Sequence, residues 1–323
     1  MHMDKVSAIY HPCLASTDQI LVTATIQTAE KVGAAIISVL DPKSGTTLAT
    51  ASGLVGQPIQ LKVAKPELWS PDTPALYPVT VRVGTDVVRS YTGFRTIQRG
   101  SVDGVARILL NGKPIFVFGT LDQGYWPDGI YTPPNLDAMV WDLKLLKGLG
   151  FNMVRKHMKV ETALFYHACD QLGLLVIQDM VALRPLQTKT LSDCSSVDIL
   201  PNSTQQTEWR RQLEVLVNQL RNHPSIFTWV IYNEGWGQIT RSYYPEFGLT
   251  ARVRELDPTR LIDSTSGWHD HGAGDYHDNH HYSSPQCGTP FYSTDSSPYV
   301  PAQGRIGFQG EFGGLGNNVS AEQ

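Results

Sequence analysis

Two patterns in succession predict an immunoglobulin-like β-sandwich followed by a (β/α)8 barrel of the TIM type. Residues 1–99 hold short runs that alternate apolar and polar at period two, with Gly, Pro and Asp turns between them. Residues 100–323 alternate apolar strand-like runs with helical stripes, the mark of a parallel sheet with right-handed crossovers. The most apolar of these runs, residues 226–233, ends on Glu234 and a loop of glycine and tryptophan. A run with no alternation reads as a strand buried on both faces.

In the first part, residues 20–26, 34–40, 59–63 and 77–83 are the clearest strands. Asp41 to Gly45, Gly53 and Gly84 to Asp86 supply turn chemistry between them. About seven strands in this length fit a sandwich, and no Cys…Trp…Cys core marks it as an antibody-type domain. Trp69 lies in a proline-rich loop and is expected to pack the sandwich edge.

The pattern changes after Gly100. Asn111-Gly112 marks a hairpin, and Lys113 to Phe118 is expected to be strand one of the barrel. Leu136, Met139, Val140, Leu143, Leu146 and Leu149 form a helical stripe closed by Gly150. Residues 151–155 give strand two, 162–172 a helix and 174–179 strand three. Residues 204–221 give a longer helix, 226–233 strand four, 243–256 a helix, and 260–264 strand five. Residues 278–282 end strand six and 306–311 are strand seven. A closed barrel has eight strands, so the eighth is expected to be missing.

The balance of 26 Lys and Arg against 30 Asp and Glu leaves a net charge of −4, which argues against a nucleic-acid partner and offers no basic patch for a membrane. No run approaches the ~18 apolar residues needed to span a bilayer, and the N-terminus has no signal-peptide core. Compartment stays open, and self-association into a homo-oligomer is compatible with the sequence. Cys13, Cys169, Cys194 and Cys287 match neither a metal knuckle nor a disulfide framework. Sequons at Asn202 and Asn318 carry little weight.

C-terminal strand ends carry the chemistry of such barrels. Glu234 closes strand four and Glu311 closes strand seven, on facing sides of the mouth. Two carboxyls so placed can straddle a glycosidic bond, and retaining glycosidases set them about 5–5.5 Å apart. Glu234, flanked by Trp236, suits the proton carrier, because an apolar pocket raises a carboxyl's pKa. Glu311 needs a donor beside it, and Tyr282 on the neighbouring strand is placed to supply one.

Val230-Ile-Tyr-Asn-Glu-Gly-Trp-Gly237 and Gly310-Glu-Phe-Gly-Gly314 resemble family 2 of the glycoside hydrolases, which holds β-galactosidases, β-glucuronidases and β-mannosidases. So do Gly150-Phe-Asn-Met-Val-Arg-Lys-His157, Gly173-Leu-Leu-Val-Ile-Gln-Asp-Met180 and Arg221-Asn-His-Pro-Ser225, in the family's order. The resemblance implies retaining exo-hydrolysis of β-glycosides, β-galactosidase-like, through a covalent glycosyl-enzyme and without a cofactor. It makes Glu234 the acid/base, Glu311 the nucleophile and Asn233 a partner of the sugar 2-hydroxyl. Arg155 and His157 are assigned sugar contacts, although the family's usual segment here differs. The family's N-terminal jelly-roll domain is not found, so weak or absent turnover is expected of this chain.

The further pocket candidates are residues of the strand-end loops. Trp268 and Trp126 are stacking platforms, with Trp126 as loop filler the equal alternative. Asp122 lines the sugar site, and one of His280 or His281, with His281 preferred, joins it. Asp179 is expected to pair with Arg155. Two other readings stand beside the glycosidase: a non-catalytic carbohydrate-binding fragment, and a metal-dependent hydrolase using the cluster from His269 to His281, whose spacing matches no standard zinc pattern.

Overall fold

The computed structural model describes residues 3–11, 19–28, 33–183, 201–239, 243–282, 299 and 303–313. Cys13, Cys194, Cys287 and Asn318 lie outside these residues. Cys169 is buried, and burial pushes its thiol well above the usual range.

The first part is a sandwich of seven strands: β1 (Met3–His11), β2 (Gln19–Thr28), β3 (Ala34–Leu40), β4 (Thr47–Leu54), β5 (Pro58–Ala64), β6 (Tyr77–Val83) and β7 (Asp86–Thr92). They pair antiparallel in the orders β1-β2-β5 and β4-β3-β6-β7. In β3, β5 and β6 every second side chain is buried, as the sequence alternation requires. These residues, with Ala24 and Ile26, form one core between the sheets.

A third antiparallel sheet follows: β8 (Ile97–Val102), β9 (Val105–Leu110) and β10 (Lys113–Pro114). Its Ile97, Ile108 and Leu110 pack into the floor of the barrel against Leu175, Ile177, Phe227, Leu261 and Ile306. The barrel itself runs β11 (Gly119–Asp122), α1 (Leu136–Gly148), β12 (Met153–Lys156), α2 (Ala163–Leu172), β13 (Leu175–Asp179), α3 (Ser203–Leu220), β14 (Ile226–Asn233), α4 (Pro245–Leu256), β15 (Leu261–Ser266), β16 (Tyr276–His281) and β17 (Ile306–Phe312). Strands β11 to β15 are parallel in chain order, β16 lies against β15, and β17 pairs parallel with β16. All eight residues of β14 are buried, as the unbroken apolar run implies. Its Trp229 and Ile231 face the helices, in a core with Met139 and Leu143 of α1, Phe165 of α2, Leu213 and Val217 of α3 and Val253 of α4.

Strand one is not where the sequence places it. Lys113 to Phe118 crosses beneath the barrel, with Ile115 and Val117 against the floor and Phe116 and Phe118 exposed. That alternation imitates a strand, yet only residues 113–114 pair, and they pair with β9. The barrel strand is Gly119–Asp122, hydrogen-bonded to β12. Among the described residues the barrel has seven strands, and β11 has β12 as its one neighbour. Trp141 and Leu145 of α1 and its C-cap Leu149 are exposed.

The sandwich is fastened to the barrel through hydrogen bonds of buried polar groups. Arg95 donates to the carbonyls of Pro224, Ile226 and Thr259. Tyr91 donates to Asp170, which is also bonded to the backbone of Ser225 and lies 2.7 Å from His223 Nδ1. Trp69 is wholly buried, but in the barrel floor rather than at a sandwich edge, and its Nε1 donates to the carbonyl of Asp170. Trp69→Ala should therefore cost about 3–5 kcal/mol of unfolding free energy. Chemical denaturation should show one destabilised transition or a sandwich and barrel that melt apart.

Candidate active site

Glu234 is the first residue beyond β14, and its backbone adopts a positive φ of 51°. A non-glycine residue in that region costs on the order of 1–3 kcal/mol and is held there by its surroundings. Here the holding bond is from Glu234 N–H to the carbonyl of Ser266, the last residue of β15. The turn swings the carboxyl over the barrel mouth. Glu311 reaches the same place from β17, in register with His280 of β16. One carboxyl oxygen of each glutamate and one nitrogen of His280 lie within 4.8 Å of one another.

Arg155 of β12 underpins this pair. Its Nε and Nη2 grip Asp179 of β13, at 3.1 and 2.7 Å. Nη2 also donates to Asn233 Oδ1 at 2.9 Å, and Nη1 to the carbonyl of Gly310 at 3.2 Å, with Glu311 Oε1 3.4 Å away. Burial alone would pull the guanidinium down, but Asp179, then Glu311 and Asp278, more than offset it and hold it well above its usual value. The pairing with Asp179 is as expected. The direct sugar contact is not: Arg155 is 2% exposed and its donors are committed. Its donors are turned to Asn233 and toward Glu311 instead. Because Arg155 fixes Asn233 Oδ1, the amide N–H is the group Asn233 has left to offer.

Gly310 is the position where a side chain cannot fit. A Cβ there would meet Asp278 Oδ2 at 2.3 Å and Arg155 Nη1 at 2.9 Å. Without one, the Gly310 N–H bonds Asp278 while its carbonyl accepts from Arg155. This sets Glu311 beside the guanidinium.

His157 follows β12 and turns its Nε2 toward Glu311 Oε1, at 3.5 Å. The amide of Gln123 donates to Nδ1, so the remaining proton sits on Nε2 and faces the carboxyl. Burial, then the charge on Arg155, push the imidazole down to about 4, so this is a neutral donor at physiological pH. Gln123 was invisible in the sequence, since no motif marks it; only pairing across β11 and β12 brings it in.

Tyr282 bridges the two carboxyls. Its hydroxyl is 2.6 Å from Glu234 Oε1 and 2.7 Å from Glu311 Oε2. Burial, then its bonds to both glutamates, raise the phenol far above its usual value. The one phenolic proton can be given to only one carboxyl at a time, so Tyr282 donates to Glu234 or to Glu311. The expected elevation of Glu234 is corrected here. Burial does raise it, but hydrogen bonds from His280 and Tyr282 and the nearby imidazoles win, and its carboxyl lies below the usual range. Trp236 proximity was a poorer guide than the donors on β16.

His280, not His281, is the imidazole of the site. Side chains alternate along a strand. Asp278 and His280 therefore point inward to Ser266, and His281 is buried on the opposite face. Alternation also removes Asp122. It faces the helical layer, where Lys156 Nζ holds it at 2.8 Å, and Lys156 lies over the Phe165 ring. Trp126 packs against the core between barrel and helices, which favours loop filler over platform. Trp236 and Trp268 are half-buried on the loops after β14 and β15, at the rim of the mouth.

The cluster from His269 to His281 does not converge on a point. His271 bonds Glu246 of α4. His277 and Asp270 hold the Arg305 guanidinium, a cation already in place. Glu234, His280 and Glu311 are the grouping of donors close enough for an ion among the described residues, but the Tyr282 hydroxyl contacts all three.

Residues 102–286 match the family model described as glycosyl hydrolases family 2, TIM barrel domain, and residues 11–95 match a second described as glycosyl hydrolases family 2. The chain belongs to family 2 of the glycosyl hydrolases. It is 30% identical over 240 residues to a β-glucuronidase of Rattus norvegicus, covering 69% of this chain and 33% of the relative. It is 27% identical over 223 residues to a β-galactosidase of Psychromonas ingrahamii, covering 67% of this chain and 20% of the relative. The chain thus spans a fifth to a third of these family 2 relatives. The solved β-D-glucuronidase of Dictyoglomus thermophilum shares the fold with a TM-score of 0.69 at 20% identity, over 87% of this chain and 48% of the other. No helix of the described residues is long and apolar enough to cross a membrane.

Proposed function

We propose that this chain carries the active site of a retaining β-glycosidase, with Glu311 as nucleophile and Glu234 as acid/base. The observation that carries it is the approach of one oxygen from each carboxyl to within 4.8 Å, which suits the ~5–5.5 Å of retaining sites better than the ~6.5–9.5 Å of inverting ones. The nucleophile attacks as a carboxylate, and Arg155, Tyr282 and the Nε2–H of His157 are the groups that stabilise its charge. Glu234 protonates the departing oxygen and then deprotonates water. Asn233, locked by Arg155, presents its amide N–H to a hydroxyl beside the anomeric carbon. Trp236 and Trp268 offer apolar faces at the rim. The substrates to try first are a β-galactoside and a β-glucuronide, after the names of the relatives.

The experiment is a nitrophenyl glycoside panel with the first-formed sugar followed by proton NMR. Release of the β-anomer supports the assignment; release of the α-anomer refutes it. Tyr282→Phe gives a further check. It removes a donor to the ionised form of Glu234, which raises that pKa, so the acid keeps its proton to higher pH. The basic limb of kcat/KM should move up by about one unit, since a hydrogen bond to a charged group is worth about 1.5–3 kcal/mol.

A further inference from the structure

A general acid held below its usual pKa is short of protons at neutral pH, and the residues beneath Glu234 show where one can be kept. Asp263 and Asp278 lie side by side inside the barrel. Burial, then the charge of Asp278, raise Asp263 far above the usual carboxyl range, so it is the neutral member and donates to Asp278. Asp278 also accepts from Gly310 N–H and from the Ser266 hydroxyl, at 2.6 Å. The one proton of Ser266 is thereby spent. Ser266 Oγ lies 2.8 Å from His280 Nε2, so that contact needs its proton from the imidazole. The tautomer is fixed from below: Nε2 carries a hydrogen, and Nδ1 faces Glu234 Oε1 at 2.9 Å. A Cβ on residue 267 would come within 2.6 Å of Nδ1, and only glycine there leaves it room.

We propose that His280 and Glu234 share a single proton, which His280 stores at Nδ1 and Glu234 delivers to the glycosidic oxygen. His280 is then a positioning residue acting through Glu234, and the proposal rests on the acid/base reading above. The balance is simple. The imidazolium gives its Nδ1 proton to Glu234 Oε1 and becomes neutral. The carboxyl turns about its last torsion, a soft two-fold rotation, and passes the proton to the leaving oxygen as Glu311 bonds to the anomeric carbon. In the second half Glu234 takes a proton from water, the hydroxide cleaves the glycosyl ester, and the proton returns to Nδ1. The groups facing the ring are Ser266 and Glu234 from β15 and the loop after β14, Asp278 and Tyr282 from its own strand and the residue after it, and Glu311 from β17, with Asp179 and His157 felt by charge. The surroundings are predominantly acidic, as the storage of a cation requires.

The test is a nitrogen-15 NMR titration of the imidazoles in the full chain, in the wild type and in Glu234→Gln. In the wild type Nε2 of His280 should carry a proton and a second should be shared between Nδ1 and Glu234. Glu234→Gln removes the negative partner, so Nδ1 should be bare in that variant while Nε2 keeps its proton. A neutral ring in the wild type, or a proton on Nδ1 with Nε2 bare, overturns the proposal. The kinetic arm uses His280→Asn, which keeps a donor near the Nδ1 position but cannot transfer a proton. Cleavage of alkyl glycosides at neutral pH should fall about 10–100-fold, within the range of general acid catalysis, while dinitrophenyl glycosides, which leave unaided, change little. The basic limb should move to lower pH. Equal losses on both substrates, or an unmoved limb, count against it. The acid/base reading fails separately, if Glu234→Gln cleaves alkyl glycosides like the wild type.

Discussion

Glu311→Ala should lose hydrolysis of a nitrophenyl β-glycoside by about 10⁴-fold or more, some 5 kcal/mol of transition-state stabilisation. The size follows from the step removed. Without the carboxylate no covalent glycosyl-enzyme forms, and the methyl group of alanine leaves space beside Arg155 and His157, which still favour an anion. Azide is small enough to enter that space. It should restore part of the turnover, with the sugar recovered as glycosyl azide. Rescue by azide with no sugar azide formed, or an alanine variant as active as the wild type, would show that Glu311 is not the nucleophile. A metal-dependent hydrolase would lose activity in EDTA and gain nothing from azide.

Arg155→Met should be the most destabilising single change in the barrel. Asp179 would be left fully buried, without the two-nitrogen grip that matches its charge. Breaking one side of such a pair costs about 3–5 kcal/mol, more than the pair contributes, because the orphan charge remains. Asn233, Gly310 and Glu311 would lose their common donor as well. Urea titration of the single variant and of Arg155→Met with Asp179→Leu decides the matter. The double variant should recover a good part of the loss. If it is no more stable than the single, the cost lies in packing rather than in the uncompensated carboxylate.

The elements that the sequence made plain are those in which burial and spacing act alone. Strand β14 is an unbroken apolar run and is buried on both faces; helix α3 shows its stripe at Leu213, Leu216, Val217 and Leu220, while its cap at Asn202 went unread. The misreading of Lys113 to Phe118 has the same origin. Alternation reports one buried face, whether the partner is a sheet or the floor of a barrel, and the segment's Ile115 and Val117 satisfy the second case.

Within the site, Glu234, Glu311, Asn233 and Tyr282 were legible because strand ends and chain order place them. Direction around the barrel was harder. Asp122 and His281 sit at the right height but on the wrong side of their strands, and counting alternate residues from Arg155 and Asp278 is the signal that would have turned them outward. The pKa of Glu234 was beyond sequence altogether. Its neighbours His280 and Tyr282 come from another strand, and whether they donate or accept depends on Ser266, Asp278 and Asp263 below them.

The central claim is that Glu311 forms a covalent bond to a sugar while Glu234 manages the proton. Trapping tests it without depending on fast turnover. The chain is incubated with activated 2-deoxy-2-fluoro-β-glycosides of galactose and glucuronic acid, and the adduct is located by peptide mass mapping. The expected result is one glycosyl group per chain, on the peptide that contains Glu311, absent from Glu311→Gln. A label on Glu234, or no label from either sugar under conditions where the chain still releases product, would contradict the account.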